Sequence, residues 1–266
     1  MTRVVYLNNW HREQPANRFD RALAESGFKV DAYHAHRGEF PEGVDAAAVF
    51  IGPSVSGAYD DEPWIHREHE VLRRFGEAGV PMLGICFGAQ ILASALVGRE
   101  QVFKRGNRET GFGEVTFSDA AASDPVVGGY PRRVRTFHWH GDEVRATHPD
   151  VVVLAKSAEC ANQLWRWRHG PVWGVQVHAE MDRAQVCEFL EKNRAWFAAE
   201  GKDVDALKAA AEDNADLADL FARFVAYVRD RQPESRLRSS APRRRGRAYR
   251  RSRSRGRRGP RSSSRR

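Results

Sequence analysis

The chain has 266 residues, 41% of them apolar, with 14 Phe and 7 Trp; one large α/β domain with a sizeable core fits, and a wholly disordered chain does not. The net charge of +8 is unevenly placed: residues 231–266 hold 16 arginines against one acid, Glu234, which leaves the remainder at −7. Three scattered cysteines, Cys86, Cys160 and Cys187, exclude a disulfide framework and a cysteine-based zinc site and point to a reducing compartment. No run is long and apolar enough to span a bilayer, and Met1–Trp10 lacks the pattern of a secretory signal. The expected location is therefore the cytoplasm, with no membrane contact.

Taken in chain order, short β-branched runs alternate with longer helical patterns, which predicts an α/β fold with an open, mainly parallel sheet flanked by helices. Arg3–Leu7 reads as a strand and Ala16–Ser26 as a helix closed by Gly27. Phe28–His34 and Ala47–Ile51 read as the next strands, the latter ending abruptly at Gly52-Pro53. A helix over Trp64–Glu77 precedes a buried-strand pattern at Pro81–Cys86 and a helix from Gly88 to about Leu96. The second half is strand-rich: Glu100–Lys104, Gly113–Phe117, Val134–Trp139, Val151–Ala155, Asn162–Trp167 and Val172–His178 form an extension of the sheet. Two helices, Arg183–Ala199 and Val204–Arg229, complete a domain expected over residues 1–230. The remaining residues, 231–266, are almost wholly Arg, Ser, Gly and Pro, and are expected to be a disordered basic tail.

Gly84-Ile85-Cys86-Phe87-Gly88 has the glycine spacing of a nucleophile elbow with sulfur in place of hydroxyl. A tight strand-to-helix turn would hold the thiol at the sheet's carboxyl edge and at a helix N-terminus, where free amides and the helix dipole favour a thiolate. The same amides could hold a developing oxyanion. Without a base, Cys86 would be an ordinary buried cysteine. The base expected is His178, at the end of a strand pattern where α/β folds build their sites. Glu180, two residues on along an extended segment, points the same way and can orient the imidazole.

Gly84-Ile85-Cys86-Phe87-Gly88-Ala89-Gln90, followed far downstream by Gly174-Val175-Gln176-Val177-His178-Ala179-Glu180, resembles the class I glutamine amidotransferase family, in particular its GMP-synthase-like stand-alone subgroup. Gly52-Pro53-Ser54-Val55-Ser56, Phe137-His138-Trp139-His140-Gly141-Asp142-Glu143-Val144, and Leu154-Ala155-Lys156-Ser157 with Asn162-Gln163 fit it too, in family order over roughly residues 1–195. The resemblance implies a flavodoxin-like class I amidotransferase fold and glutamine hydrolysis through a cysteine thioester. It makes Cys86 the nucleophile, His178 the base and then the acid, and Glu180 its orienting partner. Amides of Phe87 and of the Gly52–Ser54 turn would form the oxyanion hole, and Gln90 with backbone groups of His140, Gly141 and Asp142 would bind substrate. His140 and Asp142 take a loop role in this reading rather than a catalytic one. Three positions depart from the family pattern: Ile51 stands before Gly52, Val177 replaces the usual phenylalanine, and Ala179 replaces the usual proline between His178 and Glu180.

No metal and no cofactor is expected. With no phosphate-binding Gly-rich motif in the chain, acceptor chemistry is expected on a separate synthetase subunit. Two alternatives use other partners: a free-standing γ-glutamyl hydrolase or peptidase with the same triad, acting on a larger γ-glutamyl amide, and a nucleic-acid-associated protein with a degenerate amidotransferase fold. The tail, at +15 and with Tyr249 its only aromatic, reads either as weak RNA or acidic-partner binding or as a solvated extension.

Overall fold

Strands whose every residue is apolar or glycine leave no face for water, so Val49–Ile51 and Met82–Ile85 must be covered on both sides. In the computed structural model, which describes residues 2–11 and 16–232, they are. The basic segment expected to be disordered lies, from residue 233 on, outside the described residues.

The strands are β1 (Arg3–Asn8), β2 (Lys29–His34), β3 (Val49–Ile51), β4 (Met82–Ile85), β5 (Val102–Phe117), β6 (Arg133–Val144), β7 (Val151–Lys156), β8 (Leu164–Trp167) and β9 (Val172–Val175). They form one sheet in the order β2-β1-β3-β4-β9-β8-β7-β5-β6. From β2 to β9 the pairings are parallel, and from β9 to β6 antiparallel. The sheet is thus parallel in its first half and carries the expected strand-rich extension as an antiparallel second half.

The period-2 alternation of side chains sorts the core into two layers. Val4, Phe50, Leu83 and Trp173 face one side, where helices α1 (Arg18–Glu25) and α7 (Leu220–Asp230) bring Phe19, Phe221 and Phe224 against them. Val5, Ile51, Met82 and Val172 face the other, covered by α2 (Pro63–Glu77) and α3 (Phe87–Leu96) through Leu72, Phe75 and Ile91. A smaller cluster joins Phe137 and Trp139 of β6 to α4 (Arg183–Lys192), α5 (Arg194–Ala199) and α6 (Val204–Ala209). Capping boxes start α1, at Asn17 with Asp20, and α4, at Asp182 with Gln185.

Several elements differ from the sequence expectation, each for a local reason. The two strands expected within residues 100–117 are one strand, β5, whose register against β6 is irregular between Lys104 and Glu109. β6 runs on to Val144 through polar residues that carry no strand pattern. The helix expected over Arg183–Ala199 breaks at Asn193, whose side-chain amide donates to the Phe189 carbonyl at 2.8 Å and competes with the helix ladder. The helix expected over Val204–Arg229 is two helices, separated by a segment in which Asn214 adopts φ +55° and Asp216 accepts from the Arg135 amide.

The closest approach of strand and helix lies between β4 and α3. A Cβ added at Gly84 would sit 2.2 Å from the Gly88 carbonyl oxygen, and one at Gly88 would sit 2.3 Å from that of Ile51. Backbone atoms on both sides leave no flexible end to yield. Gly88→Ala is expected to cost at least about 2 kcal/mol of stability in denaturant unfolding. Gly43→Ala, at a position with open space for a Cβ, should change it by less than about 0.5 kcal/mol.

Candidate active site

Cys86 sits between β4 and α3 with φ +51° and ψ −108°, a backbone conformation that L residues with a side chain rarely adopt. Its amide donates to the Val175 carbonyl at 2.7 Å, so the turn is pinned to β9. Cys86 also caps α3 through its carbonyl, which accepts from the Ala89 and Gln90 amides. The helix therefore begins at the sulfur-bearing residue itself.

β9 lies beside β4 with Gly84 opposite Gly174 and Ile85 opposite Val175, so the chain leaving β9 passes next to the elbow. The His178 amide donates to the Phe137 carbonyl at 2.9 Å, holding this segment against β6. His178 Nδ1 is 2.6 Å from Glu180 Oε1, and the Cys86 sulfur acts on the same ring electrostatically. Nε2 also lies 3.3 Å from the Trp139 carbonyl, which is 4.0 Å from Cys86 Sγ. Burial opposes a charge on the imidazole, yet the Glu180 carboxylate and the Cys86 sulfur outweigh it and hold His178 well above its ordinary range. Cys86, His178 and Glu180 are all buried.

The His178–Glu180 relation does not arise from an extended segment, as the sequence suggested. Residues 179 and 180 form a turn, closed by the Met181 amide on the His178 carbonyl. What holds it was not visible in the sequence. Asn214 donates to the His178 and Met181 carbonyls at 2.8 and 2.7 Å, and Arg18 donates to the Met181 carbonyl at 3.1 Å. These bonds fix the turn where Ala179 stands in place of a proline. Asn214 takes the left-handed conformation that asparagine tolerates better than most residues.

A cavity of about 410 Å³ opens onto Cys86. Ser54, Gln90, His140, Gly141 and Asp142 all line it. The Gln90 side chain donates to Gln176 Oε1 at 3.2 Å, and Gln176 in turn directs its amide nitrogen at Cys86 Sγ, 3.6 Å away. Asp142 accepts from the Tyr59 hydroxyl at 3.1 Å; burial pushes its carboxyl up, and that hydrogen bond opposes the shift. Phe87 is buried at the first turn of α3, where its amide has no carbonyl four residues back within the helix. Gly52 departs from its expected role: its amide donates to the Leu7 carbonyl at 2.9 Å and is spent in the sheet. The carbonyl of Gly52 instead accepts from Asn9, whose side chain also donates to the buried Glu68, a carboxyl that burial pushes up to about 8. His140, Gly141 and Asp142 belong to β6 and not to a loop.

Lys104, Arg108 and Asp60 also line this cavity, with Lys104 directly opposite Asp142 on the paired strand, and were not singled out by sequence reasoning. Nothing in their spacing marks them; Arg108 is placed by stacking over Trp196, 4.7 Å from the ring centre, and by pairing with Glu200 at 3.2 Å. A second cavity of about 560 Å³ is lined by His178 and Glu180 and adjoins the first, sharing Val55, Trp139 and Asn193 with it. Among the described residues no helix is long and apolar enough to cross a membrane.

A family model for class I glutamine amidotransferases matches residues 14–193. The curated relatives include the glutamine-hydrolysing GMP synthase subunit of Pyrococcus abyssi, 30% identical over 49% of this chain and 67% of the relative. They also include the protein of the same name from Natronomonas pharaonis, 28% identical over 73% of this chain and 96% of the relative. Among solved structures, a glutamine amidotransferase from Thermotoga maritima superposes with a TM-score of 0.71 at 22% identity, covering 85% of this chain and 96% of that one, a likeness of fold. With the family model spanning more than half of its length, the chain belongs to the class I glutamine amidotransferases.

Proposed function

We propose that the chain hydrolyses the side-chain amide of glutamine to glutamate and ammonia, with Cys86 as nucleophile, His178 as proton carrier and Glu180 as the group that orients it. The observation that carries this reading is a sulfur on a strained elbow that acts electrostatically on an imidazole held 2.6 Å from a buried carboxylate. The sulfur attacks the amide carbon as the S–H proton resides on His178. Collapse of the tetrahedral intermediate breaks the C–N bond while His178 returns that proton to the departing nitrogen, releasing ammonia and leaving a γ-glutamyl thioester. Water then attacks the thioester, His178 accepts its proton, and the sulfur leaves. The Phe87 amide is the donor best placed for the oxyanion, and the Gly52 amide is not part of that hole. Lys104 and Arg108 suit the α-carboxylate of the substrate, and Asp60 and Asp142 its α-ammonium group. Gln90 and the backbone of His140 and Gly141 complete the wall.

The ammonia is proposed to pass to a separate synthetase subunit, since the relatives named above are themselves called subunits and the chain has no phosphate-binding motif of its own. The amidotransferase unit is taken to end near residue 230, and three free cysteines favour a reducing, cytoplasmic setting. The γ-glutamyl hydrolase reading draws on the second cavity, which could seat a leaving group larger than ammonia beside His178. Glutamate release from glutamine and from a panel of γ-glutamyl amides separates the two; turnover confined to the larger amides would replace the first reading with the second. The Arg-rich tail is proposed to hold RNA or acidic partners weakly through counterion release.

Cys86→Ala is expected to lower glutamine turnover at least about 10³-fold, and a glutamine-like electrophile should label Cys86 ahead of Cys160 and Cys187. Labelling elsewhere, or undiminished turnover, would remove Cys86 as nucleophile. The proton needed by the leaving nitrogen is present below the raised pKa of His178 and lost above it, so kcat/KM should fall on the alkaline side as that proton leaves. Glu180→Gln removes a charge that raises this pKa, and should shift the alkaline limb to lower pH while reducing kcat. Truncation after Gln232 should leave glutaminase activity intact and abolish any salt-sensitive retention on RNA.

A further inference from the structure

Behind the wall formed by His140, three side chains converge in an arrangement that hydrogen bonding alone does not satisfy. Glu109 of β5 lies directly opposite His140 of β6, and His138 occupies the same face two residues earlier. Their ligand-type atoms all lie within 4.8 Å of one another. His140 Nδ1 is 2.9 Å from the Asp142 carbonyl oxygen, which can only accept, so this nitrogen carries the hydrogen. In the neutral ring, Nε2 then presents a lone pair to Glu109 Oε2 at 3.0 Å. His138 Nδ1 is 3.2 Å from the side-chain nitrogen of Gln163, which can only donate, so His138 Nδ1 presents a lone pair as well. It does so 3.2 Å from Glu109 Oε1, while its Nε2 faces the Gly113 backbone.

With both rings neutral, the Glu109 carboxylate meets an imidazole lone pair on each side, and a shared cation would bind all three donors.

We propose that Glu109, His138 and His140 form a buried binding site for a divalent transition-metal ion of the zinc class, with Gln163 as fourth ligand. The donor set of two imidazoles and a carboxylate suits such an ion. The carboxylate faces both rings, Oε2 3.0 Å from His140 Nε2 and Oε1 3.2 Å from His138 Nδ1, so either oxygen can serve as the ligand. Gln163 Oε1 is buried with no partner, and once an ion takes the lone pairs of His138 and Glu109 the amide can turn by half a turn, bringing that oxygen to where the nitrogen now stands, 2.8 Å from Glu109 Oε2. Ser157 donates to Glu109 Oε1 at 2.8 Å, and the Asp142 carbonyl orients His140, as outer partners of metal ligands do. Because the Asp142 carbonyl also accepts from Gln90 at 3.4 Å, the ion would stiffen the substrate wall without touching Cys86. The site is independent of the glutaminase reading.

The test is a cobalt(II) titration of the full-length chain after chelator treatment, followed by displacement with zinc. One equivalent of cobalt should bind with intense ligand-field bands typical of four-coordination and no sulfur-to-cobalt charge-transfer band, and zinc should raise the melting temperature. Cys86→Ser should bind as the parent does, whereas Glu109→Gln and His138→Gln should each weaken binding by about 10–100-fold. Should those variants fail to fold, the parent spectrum alone decides between nitrogen and oxygen ligands and sulfur. A sulfur band would place the ion on a cysteine and overturn the proposal. So would absence of stoichiometric cobalt binding together with nitrogen-15 NMR showing His140 as an imidazolium, which would mean that a proton closes the network.

Discussion

The backbone of Cys86 can hold its positive φ only because β4 and α3 approach until carbonyl oxygens lie where side chains would otherwise be. Gly84 and Gly88 permit that approach, and the sheet ladder to β9 supplies the force that maintains it through the Cys86 amide. An isolated turn of this shape would relax, since such conformations cost of order 1–3 kcal/mol. Here the strain is overdetermined by two buried strands, a buried helix and a hydrogen bond of 2.7 Å. The sulfur is consequently fixed in direction before any substrate arrives, which is the form of preorganisation that catalysis by a positioned nucleophile requires.

β6 is the second organising element. Its Phe137 carbonyl holds His178, its Trp139 carbonyl faces both the imidazole and the sulfur, and its next residues form the wall of the cavity. On the same strand the rings of His138 and His140 reach Glu109, while His140 also lines the cavity. One strand therefore carries two networks, and small movements of β6 would be felt by both. Its packing on α4 and α5 through Trp139 and Phe137 resists such movement.

Much of this was legible in the sequence because the relevant signals are local. The glycines flanking Cys86, the β-branched runs that feed the parallel half of the sheet, and the placement of His178 just beyond a strand all follow from spacing. The parts that were missed depend on distant chain segments. Asn214 lies in what the apolar periodicity suggested was a helix, and its role in tying the His178–Met181 turn appears only once α6 and α7 are seen to separate. Gly52 sits in a turn motif, but its amide is spent on Leu7, a pairing that requires knowing that β1 and β3 are neighbours. Polar residues through His140 to Glu143 disguise the continuation of β6, since a strand that lines a site need not alternate. Glu109 and His138 face each other across strands joined by a long connection, so no spacing rule pairs them.

β4 and β9 are adjacent in the sheet yet separated in the chain by the whole of β5 to β8. The offset between nucleophile and imidazole is consequently a property of one ladder of paired residues, Met82 to Ile85 against Val172 to Val175, and is indifferent to the length of polypeptide between them. Surface connections such as that between β6 and β7 can lengthen, shorten or acquire appended modules without re-aiming either group. A one-residue slip of β9, by contrast, would invert the side of the sheet to which its continuation leads. The aim of the site thus depends on a single seam of four residue pairs.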